Sequence, residues 1–290
     1  MLQLLVNLGV PTSVFVLMLV AGTQVRLTDF AVLRQRPIAV LLGSAGQLLI
    51  LPVLGILIVT ILSPSPAIAA GILLLTLCPG GGISNYYCYL ARIDVLLSAT
   101  VTSLGTMLSL LTIPLWLWAL TTLPIASNEL PAVPVASIVG QLLLFMILPL
   151  GLGMALRHGA PGWIERNRSQ LRVTSLAIIS ILLVLVAWTI RTDLASWAAE
   201  ILVAATIFVV AAMTLGWIVG LFLEPDARPV LVVESGVRNI AVALILGTAL
   251  LPRESFSVLA TFFTGYFIVE VAIMLTYARW QVRRAALRSP

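Results

Sequence analysis

The sequence predicts an all-α integral membrane protein with nine transmembrane helices, two of which are interrupted inside the membrane. Of its 290 residues, 61% are hydrophobic and only 9% are charged, against about 25% charged residues in soluble domains. Several apolar segments reach the roughly 20 residues that a helix needs to cross a bilayer. The net charge of +5 comes from arginines spread over short connections, without a basic patch interleaved with aromatic residues. This pattern argues against a nucleic-acid partner.

The apolar segments are joined by short polar connections, so residues 1–290 form one transmembrane domain. The first segment lacks the positively charged start of a signal peptide, and we expect it to be a retained span. The predicted spans are Val10–Val25, Ile38–Leu62, Ala67–Arg92, Val95–Leu120, Pro134–Leu156, Val173–Ile190, Ala199–Leu223, Val230–Leu250 and Phe256–Tyr277.

The distribution of arginines predicts the orientation of these spans. Thirteen of the sixteen basic residues, all arginines, fall in connections or tails on one side of the nine-span arrangement; two fall on the other side, and Arg238 falls within the membrane. Because basic connections stay in the cytoplasm, we expect the N-terminus outside and the C-terminus in the cytoplasm, in the plasma (inner) membrane.

The third span contains the sequence Cys-Pro-Gly-Gly-Gly-Ile-Ser-Asn at residues 78–85. Pro79 has no N–H, and three successive glycines make a helical backbone costly. Broken backbone at membrane depth is tolerated only where it is buried in protein or lines a cavity. In secondary transporters such breaks carry the ion and substrate sites, usually as a pair.

A second break is predicted in the eighth span, within Val-Glu-Ser-Gly-Val-Arg-Asn-Ile at residues 233–240. Gly82-Ile-Ser-Asn85 aligns with Gly236-Val-Arg-Asn239, which indicates two inverted repeats, at about 1–122 and 132–290.

Two charged residues, Glu234 and Arg238, lie inside the eighth span. A charge at the bilayer centre costs on the order of 2.5–3.5 kcal/mol, so such residues face a cavity or a partner. Two interpretations are open. Glu234 is either a cation ligand, with Arg238 as a counter-charge or an anion anchor, or the two residues form an internal structural ion pair.

Two interpretations also remain open for several other polar side chains. Ser98, Thr102 and Thr106 repeat every four residues on one helical face, either as cation ligands or as hydrogen bonds between helices. Gln47 is either a ligand or a satisfied core residue. Glu270 is expected near the cytoplasmic end of its span and partly hydrated. Cys78 and Cys88 are expected to be small packing residues.

The motifs resemble those of the bile acid/sodium symporter family over essentially the whole chain. The resemblance is carried by residues 78–85, by Tyr-Leu-Ala-Arg-Ile-Asp-Val at 89–95, by Glu-Ser-Gly-Val-Arg-Asn at 234–239 and by Val-Arg-Leu-Thr-Asp-Phe at 25–30. It implies a core domain with two crossing helices (about 38–120 and 199–277) and a panel domain (about 4–25 and 134–190). It also implies two sodium sites behind the crossing.

By motif position, the resemblance places the first sodium ion at Ser84, Asn85, Ser98, Thr102 and Glu234. The second sodium ion would use Gln47, Glu234, the backbone of Ser235 and Val237, and the position of Arg238. The family usually has glutamine at that last position. A guanidinium cannot ligate sodium and repels a nearby cation, so we expect the second site to be lost or replaced by Arg238.

The resemblance implies symport of an organic anion by alternating access, driven by sodium, with no organic cofactor. Polar residues that line the cavity in some members are apolar here, near Phe267 and Ile268, so a smaller anion such as a keto acid or hydroxy acid is expected rather than a bile acid. Its negative group would meet Arg238, Asn239 and Gly82, where the half-helices begin.

Several alternatives to this reading remain. A proton-coupled carrier using Glu234, or a carrier independent of cations, would replace sodium coupling. A channel or receptor would not accumulate its ligand. An enzyme is not expected, because the chain has no zinc-protease, P-loop or Gly-x-Ser-x-Gly motif. The expected partners are the organic anion and the lipid bilayer, with no obligate protein partner.

Overall fold

The computed structural model describes residues 9–25, 31–121, 135–189, 194–251 and 253–287, and within these ranges it contains helices but no strand. The α-helices are α1 (Val10–Gln24), α2 (Ala31–Gln35), α3 (Pro37–Ala45), α4 (Leu51–Leu62), α5 (Pro66–Leu77), α6 (Ser84–Ala91), α7 (Val95–Thr121), α8 (Val135–Leu142), α9 (Leu148–Gly159), α10 (Pro161–Arg166), α11 (Arg168–Thr189), α12 (Leu194–Val219), α13 (Arg228–Gly236), α14 (Ile240–Leu250) and α15 (Arg253–Ala286).

Both predicted helix breaks are present. The first separates α5 from α6, and the second separates α13 from α14. The two breaks cross each other, because Gly80 and Arg238 pair as an antiparallel bridge. In addition, the backbone N–H of Asn239 donates to the carbonyl of Pro79 at 3.0 Å. Each break therefore supplies hydrogen-bond partners for backbone groups that its own helix leaves free.

A π-helical turn, Gly46–Ile50, joins α3 to α4 and contains Gln47. Pro52 has no N–H to donate to the carbonyl of Leu48, one helical turn earlier. That carbonyl instead accepts a hydrogen bond of 2.8 Å from the indole nitrogen of Trp116 on α7. The proline thus explains the irregular turn, and the turn carries one of the predicted site residues.

Helix α1 packs closely on α9 and also contacts α11 and α14. A Cβ atom on Gly22 of α1 would lie 2.1 Å from the carbonyl oxygen of Leu150, and one on Gly153 of α9 would lie 2.1 Å from that of Leu19. The two helices therefore approach each other at paired glycines, as is common between membrane helices.

Arg36, before α3, joins three connections near one end of the molecule. Its guanidinium lies 2.5 Å from the carboxylate of Asp226, 2.7 Å from that of Glu224 and 3.4 Å from that of Asp94. The hydrogen bond from Arg36 lowers the pKa of the Asp226 carboxyl below its ordinary value. Since Asp94 follows α6 and Asp226 precedes α13, Arg36 holds together the ends of these two half-helices that lie away from the crossing.

Within the described part of the chain, five helices or helix pairs are long and apolar enough to cross a membrane: Pro37–Leu62, Val95–Leu120, Ala136–Gly159, Trp197–Phe222 and Val258–Ala286. Shorter apolar helices are α1, α5 and α14, two of which are the halves of broken spans. Large apolar side chains such as Ile61, Leu111 and Phe222 are exposed, as expected of surfaces that face lipid. The protein is an integral membrane protein. Most of the predicted outer loop at 121–133 and the predicted outer turn at Arg191 and Asp193 lie outside the described residues.

The contact of α1 with α9 yields a test of the fold. Substituting Gly153→Ala is expected to lower the free energy of unfolding by about 1–3 kcal/mol, because the new methyl group meets backbone that cannot rotate away. Thermal unfolding of the detergent-solubilised protein measures this effect. Gly151→Ala on the same helix is the matched control, since a Cβ there meets no other atom within 4 Å. Equal melting temperatures for the two variants would contradict the proposed contact.

Candidate functional site

Glu234, on the last turn of α13, lies at the centre of a buried cluster of oxygen atoms. Its side chain is 1% exposed. Ser84, at the first turn of α6, and Ser98 and Thr102, on α7, surround it from two other helices. The sequence predicted these residues as one site, and the structure brings them together.

The distances within this cluster are those of direct contacts. Oε1 of Glu234 lies 2.5 Å from Oγ of Ser84, 2.6 Å from Oγ of Ser98 and 3.0 Å from Oγ1 of Thr102. Oε2 lies 2.8 Å from the Thr102 hydroxyl. The amide oxygen of Asn85 lies 2.8 Å from Oγ of Ser98. Three hydroxyls, one amide carbonyl and one carboxylate therefore converge in a buried space.

Thr106 was grouped with Ser98 and Thr102, but the structure separates it from them. Its hydroxyl donates to the carbonyl of Thr102 at 2.8 Å, within the same helix. Side-chain spacing places all three residues on one face. Only Ser98 and Thr102 are level with Glu234, which is why their hydroxyls contact its carboxylate and that of Thr106 does not.

Gly80 allows the first break to pass close to this cluster. Its N–H donates to Oε1 of Gln47 at 3.0 Å. A Cβ at this position would lie 2.9 Å from Oε2 of Glu234 and 3.2 Å from Oε1 of Gln47. Glycine is therefore required by a close approach of backbone to side chains that are themselves held by hydrogen bonds.

The guanidinium of Arg238 lies at the predicted second cation position. Arg238 is 1% exposed, and its Nη1 atom donates to the carbonyl of Cys78 at 3.2 Å. Nη2 donates to Oε1 of Gln47 at 3.4 Å and to the backbone carbonyl of Glu234. These carbonyls belong to the C-terminal ends of α5 and α13, where helix dipoles favour positive charge.

The arrangement tests one of the two interpretations of Glu234 and Arg238, the internal ion pair. Among the described residues no ion pair joins their side chains, since the carboxylate meets hydroxyls and the guanidinium meets main-chain carbonyls and Gln47. The internal ion-pair interpretation was wrong. Among the contacts of the described residues, the guanidinium also does not use the carbonyls of Ser235 and Val237, which are buried nearby.

A cavity of about 240 Å³ borders the crossing breaks. Its polar lining includes Asn85, Tyr86, Thr102, Arg168, Asn239 and Glu270, and the glycines 80–82 line it with backbone. Leu17 and Met18 of α1 and Leu150 of α9 close the opposite wall. Gly82, Asn239 and Arg238, predicted to bind substrate, all border this space. The Nη1 and Nη2 atoms of Arg238 donate to protein oxygens, and its Nε atom has no hydrogen-bond partner among the described residues.

Glu270 on α15 was expected to be partly hydrated, but it is fully buried. The reason is that α15 packs against α6, which covers this face of the helix. Four residues earlier, the hydroxyl of Tyr266 accepts from the N–H of Arg238 at 2.8 Å and donates to the carbonyl of Gly236 at 2.9 Å. Tyr266 satisfies the second break, and sequence reasoning missed it because no local pattern distinguishes it from a core tyrosine.

Residues 11–197 match the family model described as Sodium Bile acid symporter family. The chain belongs to this family. This match covers more than half of the chain, including the first break. The family is named for symporters, which agrees with the expectation that the protein is not an enzyme.

Curated relatives extend the similarity towards the C-terminal half. The chain is 29% identical over 257 residues to mouse sodium/bile acid cotransporter 4, covering 85% of this chain and 57% of that protein. It is 27% identical over 262 residues to the ileal sodium/bile acid cotransporter of Cricetulus griseus, covering 87% and 72%. It is 28% identical over 233 residues to a rice protein named probable sodium/metabolite cotransporter BASS2, chloroplastic, covering 79% and 54%. The chain thus spans little more than half the length of the mouse and rice proteins.

The close approach of Gly80 gives a test of the site's geometry. Gly80→Ala is expected to destabilise the protein by about 1–3 kcal/mol, because the methyl group displaces either Glu234 or Gln47 from its hydrogen bonds. Gly82→Ala is the control, since a Cβ there meets no other atom within 4 Å. Chemical unfolding in detergent measures both variants. If Gly80→Ala is as stable as Gly82→Ala, the breaks do not approach the cluster as described.

Proposed function

We propose that the protein is a secondary active transporter that moves a small organic anion together with sodium by alternating access. The observation that carries this proposal is the convergence of Ser84, Asn85, Ser98 and Thr102 on the buried carboxylate of Glu234. A buried carboxylate is costly unless a positive charge or hydrogen bonds compensate it. Oxygen ligands of these types suit a hard cation, and their single negative charge suits a monovalent one.

Binding of the cation at this cluster would be linked to substrate binding through the breaks. The cluster draws its oxygens from α6, α7 and α13, so one ion holds three helices at the crossing. The same crossing forms one wall of the cavity, where Gly82, Asn85 and Asn239 lie. A sodium ion that fixes the relative position of the two breaks therefore also fixes the groups that receive the substrate.

Arg238 is proposed to replace the second sodium ion. Its guanidinium contacts Gln47 and the carbonyls of Cys78 and Glu234, which offer oxygens that a cation would otherwise take. A permanent positive charge at this position excludes sodium by repulsion. We therefore propose one sodium ion per transport cycle at the Glu234 site.

The substrate is proposed to be a small carboxylate, such as a keto acid or hydroxy acid. The cavity of about 240 Å³ lies below the range of about 300–1,000 Å³ that is usual for ligand pockets, and it is small for a steroid. The N-terminal ends of α6 and α14 border it, and helix N-termini favour negative groups. The relatives' names mention bile acids and a metabolite, and the small cavity favours the second class for this chain.

The architecture is proposed to follow the family's plan within the single domain 1–290. Helices α1, α8, α9 and α11 would form the panel, and α3–α7 with α12–α15 the core. Nine spans would result, with the N-terminus outside and the cytoplasmic end marked by the Arg36 cluster. In support, α1 contacts α9 and α11, and α12 contacts α13 and α15.

A carrier driven by protons at Glu234, or independent of cations, is the second candidate. Three hydroxyls around Glu234 favour the sodium reading, because each hydroxyl can turn its lone pairs towards a cation. Dependence of uptake on external sodium at fixed pH distinguishes the two, since a carrier that uses only protons does not respond to sodium.

Sodium-dependent stabilisation of the purified protein tests the proposal without knowledge of the substrate. A ligand that binds only the folded state adds about 2.7 kcal/mol at 100 times its dissociation constant. We expect sodium, but not potassium or choline at equal ionic strength, to raise the melting temperature. Glu234→Gln is expected to abolish this rise, and Ser98→Ala to weaken sodium binding at least about tenfold.

Ser109→Ala is the matched control for these variants. Ser109 lies on α7 like Ser98, is equally buried and donates to the carbonyl of Thr106 instead of Glu234. Its sodium response should equal that of the wild type. A sodium response that survives Glu234→Gln, or is lost equally in Ser109→Ala, would contradict the proposed site.

A further inference from the structure

Glu270 is a second buried carboxylate, and the proposed sodium site does not use it. It lies in the middle of α15, is 0% exposed and borders the cavity. Neither of its oxygens has a hydrogen-bond partner among the described residues. An ionised carboxylate in this position would carry a large desolvation cost, so the structure requires either a cation or a proton on this group.

Of the two arginines that border the cavity with Glu270, Arg168 pairs with Glu165, and neither pairs with Glu270 among the described residues. Within the described residues, those with titratable or charged side chains on the packed elements are Tyr87 on α6, Cys78 and Arg238 at the breaks, Tyr266 on α15 itself, Arg168 on α11 and Glu200 on α12. Tyr87 interacts with Glu270 directly, and its hydroxyl also lacks a hydrogen-bond partner among the described residues. Glu200 accepts from the N–H of Ser65 at the start of α5, at the far end of that helix from the breaks.

Arg238 interacts with Glu270 only through space. Its Nη1 and Nη2 atoms bind Cys78, Gln47 and the carbonyl of Glu234, and its Nε atom has no hydrogen-bond partner among the described residues. No ion pair joins Arg238 to Glu270 among the described residues. The carboxylate is therefore left facing the cavity and the Tyr87 hydroxyl.

The number of charges that bind and leave at the crossing in each cycle gives a reason for a proton-binding carboxylate there. A fixed guanidinium crosses the membrane field in both directions of the cycle, so it contributes no net driving force. A dissociable cation does contribute, at about 2.3 kcal/mol per charge per 100 mV. Replacing the second sodium ion by Arg238 removes one dissociable charge, and a proton on Glu270 restores one.

The same count covers binding of the substrate. Among the charges buried at the crossing, Glu234 and a monovalent carboxylate substrate are balanced by Arg238 and sodium when sodium is bound. Arg168, which also borders the cavity, is half-exposed and pairs with Glu165. An ionised Glu270 beside the substrate would add one uncompensated negative charge in a small cavity. A protonated Glu270 is neutral and can donate a hydrogen bond to the substrate carboxylate.

We propose that Glu270 is a proton-binding site in the substrate cavity, through which one proton accompanies sodium and the anion. The coupling role rests on the proposed function, whereas the proton site itself does not. The proton binds to a carboxylate oxygen of Glu270 on one side of the membrane and leaves from the same atom on the other side. No bond other than this O–H bond forms or breaks.

Infrared difference spectroscopy of the purified full-length protein across a pH titration tests this site. The probe is the proton alone, and the readout is the carbonyl stretch of a protonated carboxyl group. We expect such a signal in wild type at mildly acid pH, disappearing as the pH rises. It should vanish in Glu270→Gln and persist in Glu234→Gln, which removes the other buried carboxylate at the crossing.

Two further variants keep the test decisive if Glu270→Gln folds poorly. Glu270→Asp should retain a titrating signal at a shifted frequency, and Tyr87→Phe should shift the signal without removing it. Sodium stabilisation of Glu270→Gln should equal that of the wild type, which shows that the cluster at Glu234 is intact.

The outcomes separate the two proposals. A titrating signal that persists in Glu270→Gln, or the absence of any such signal in wild type, would overturn the proton site. If the signal behaves as expected but sodium stabilises nothing, the proton site stands and sodium coupling falls. If sodium stabilises wild type and the signal is absent, sodium coupling stands and the proton site falls.

Discussion

The structure depends on the crossing of two broken helices, because backbone groups freed inside a membrane must find partners in the protein. The bridge between Gly80 and Arg238 and the hydrogen bond from Asn239 to Pro79 satisfy part of this requirement. Tyr266 satisfies more, since its hydroxyl bonds to the backbone on both sides of Val237. A few specific contacts thus hold the crossing. The crossing in turn sets the positions of the Glu234 cluster, of Arg238 and of the cavity.

Charge at the crossing is divided between its two faces. The guanidinium of Arg238 lies at the C-terminal ends of two half-helices, where dipoles favour a cation, and the helix N-termini border the cavity, where they favour an anion. Glu234 gathers hydroxyls from the neighbouring helices in the arrangement that we propose binds a monovalent cation. The ileal relative and the rice relative are both named as sodium cotransporters. Since Arg238 lies where the family resemblance implies a second sodium ion, we infer that the protein described here uses one sodium ion.

The two helix breaks were predicted from the sequence because they leave strong local signals, as do intramembrane charges. The grouping of Ser84, Asn85, Ser98 and Thr102 with Glu234 came from the resemblance to a family, and the structure places these side chains together. Pro79, three glycines and Glu234 each violate the rules of an ordinary span, and such violations are concentrated at functional sites. The contacts that were missed depend on tertiary structure. Burial of Glu270 depends on the packing of α15 against α6. Glu234 contacts Thr102 but not Thr106 because of the level at which α13 crosses α7. The π-helical turn at Gln47 could have been inferred from Pro52, but its partner, Trp116, lies more than sixty residues away.

We propose that the crossing holds one monovalent cation at Glu234 because Arg238 occupies the second position. Anomalous scattering from crystals soaked in thallium(I), a heavy substitute for sodium, would locate the cation. We expect one peak, within about 3 Å of the oxygens of Ser84, Ser98, Thr102 and Glu234, as expected for direct oxygen ligation. A second peak beside Gln47 is expected only in Arg238→Gln. A peak beside Gln47 in the wild type, or no peak at Glu234, would contradict the proposal.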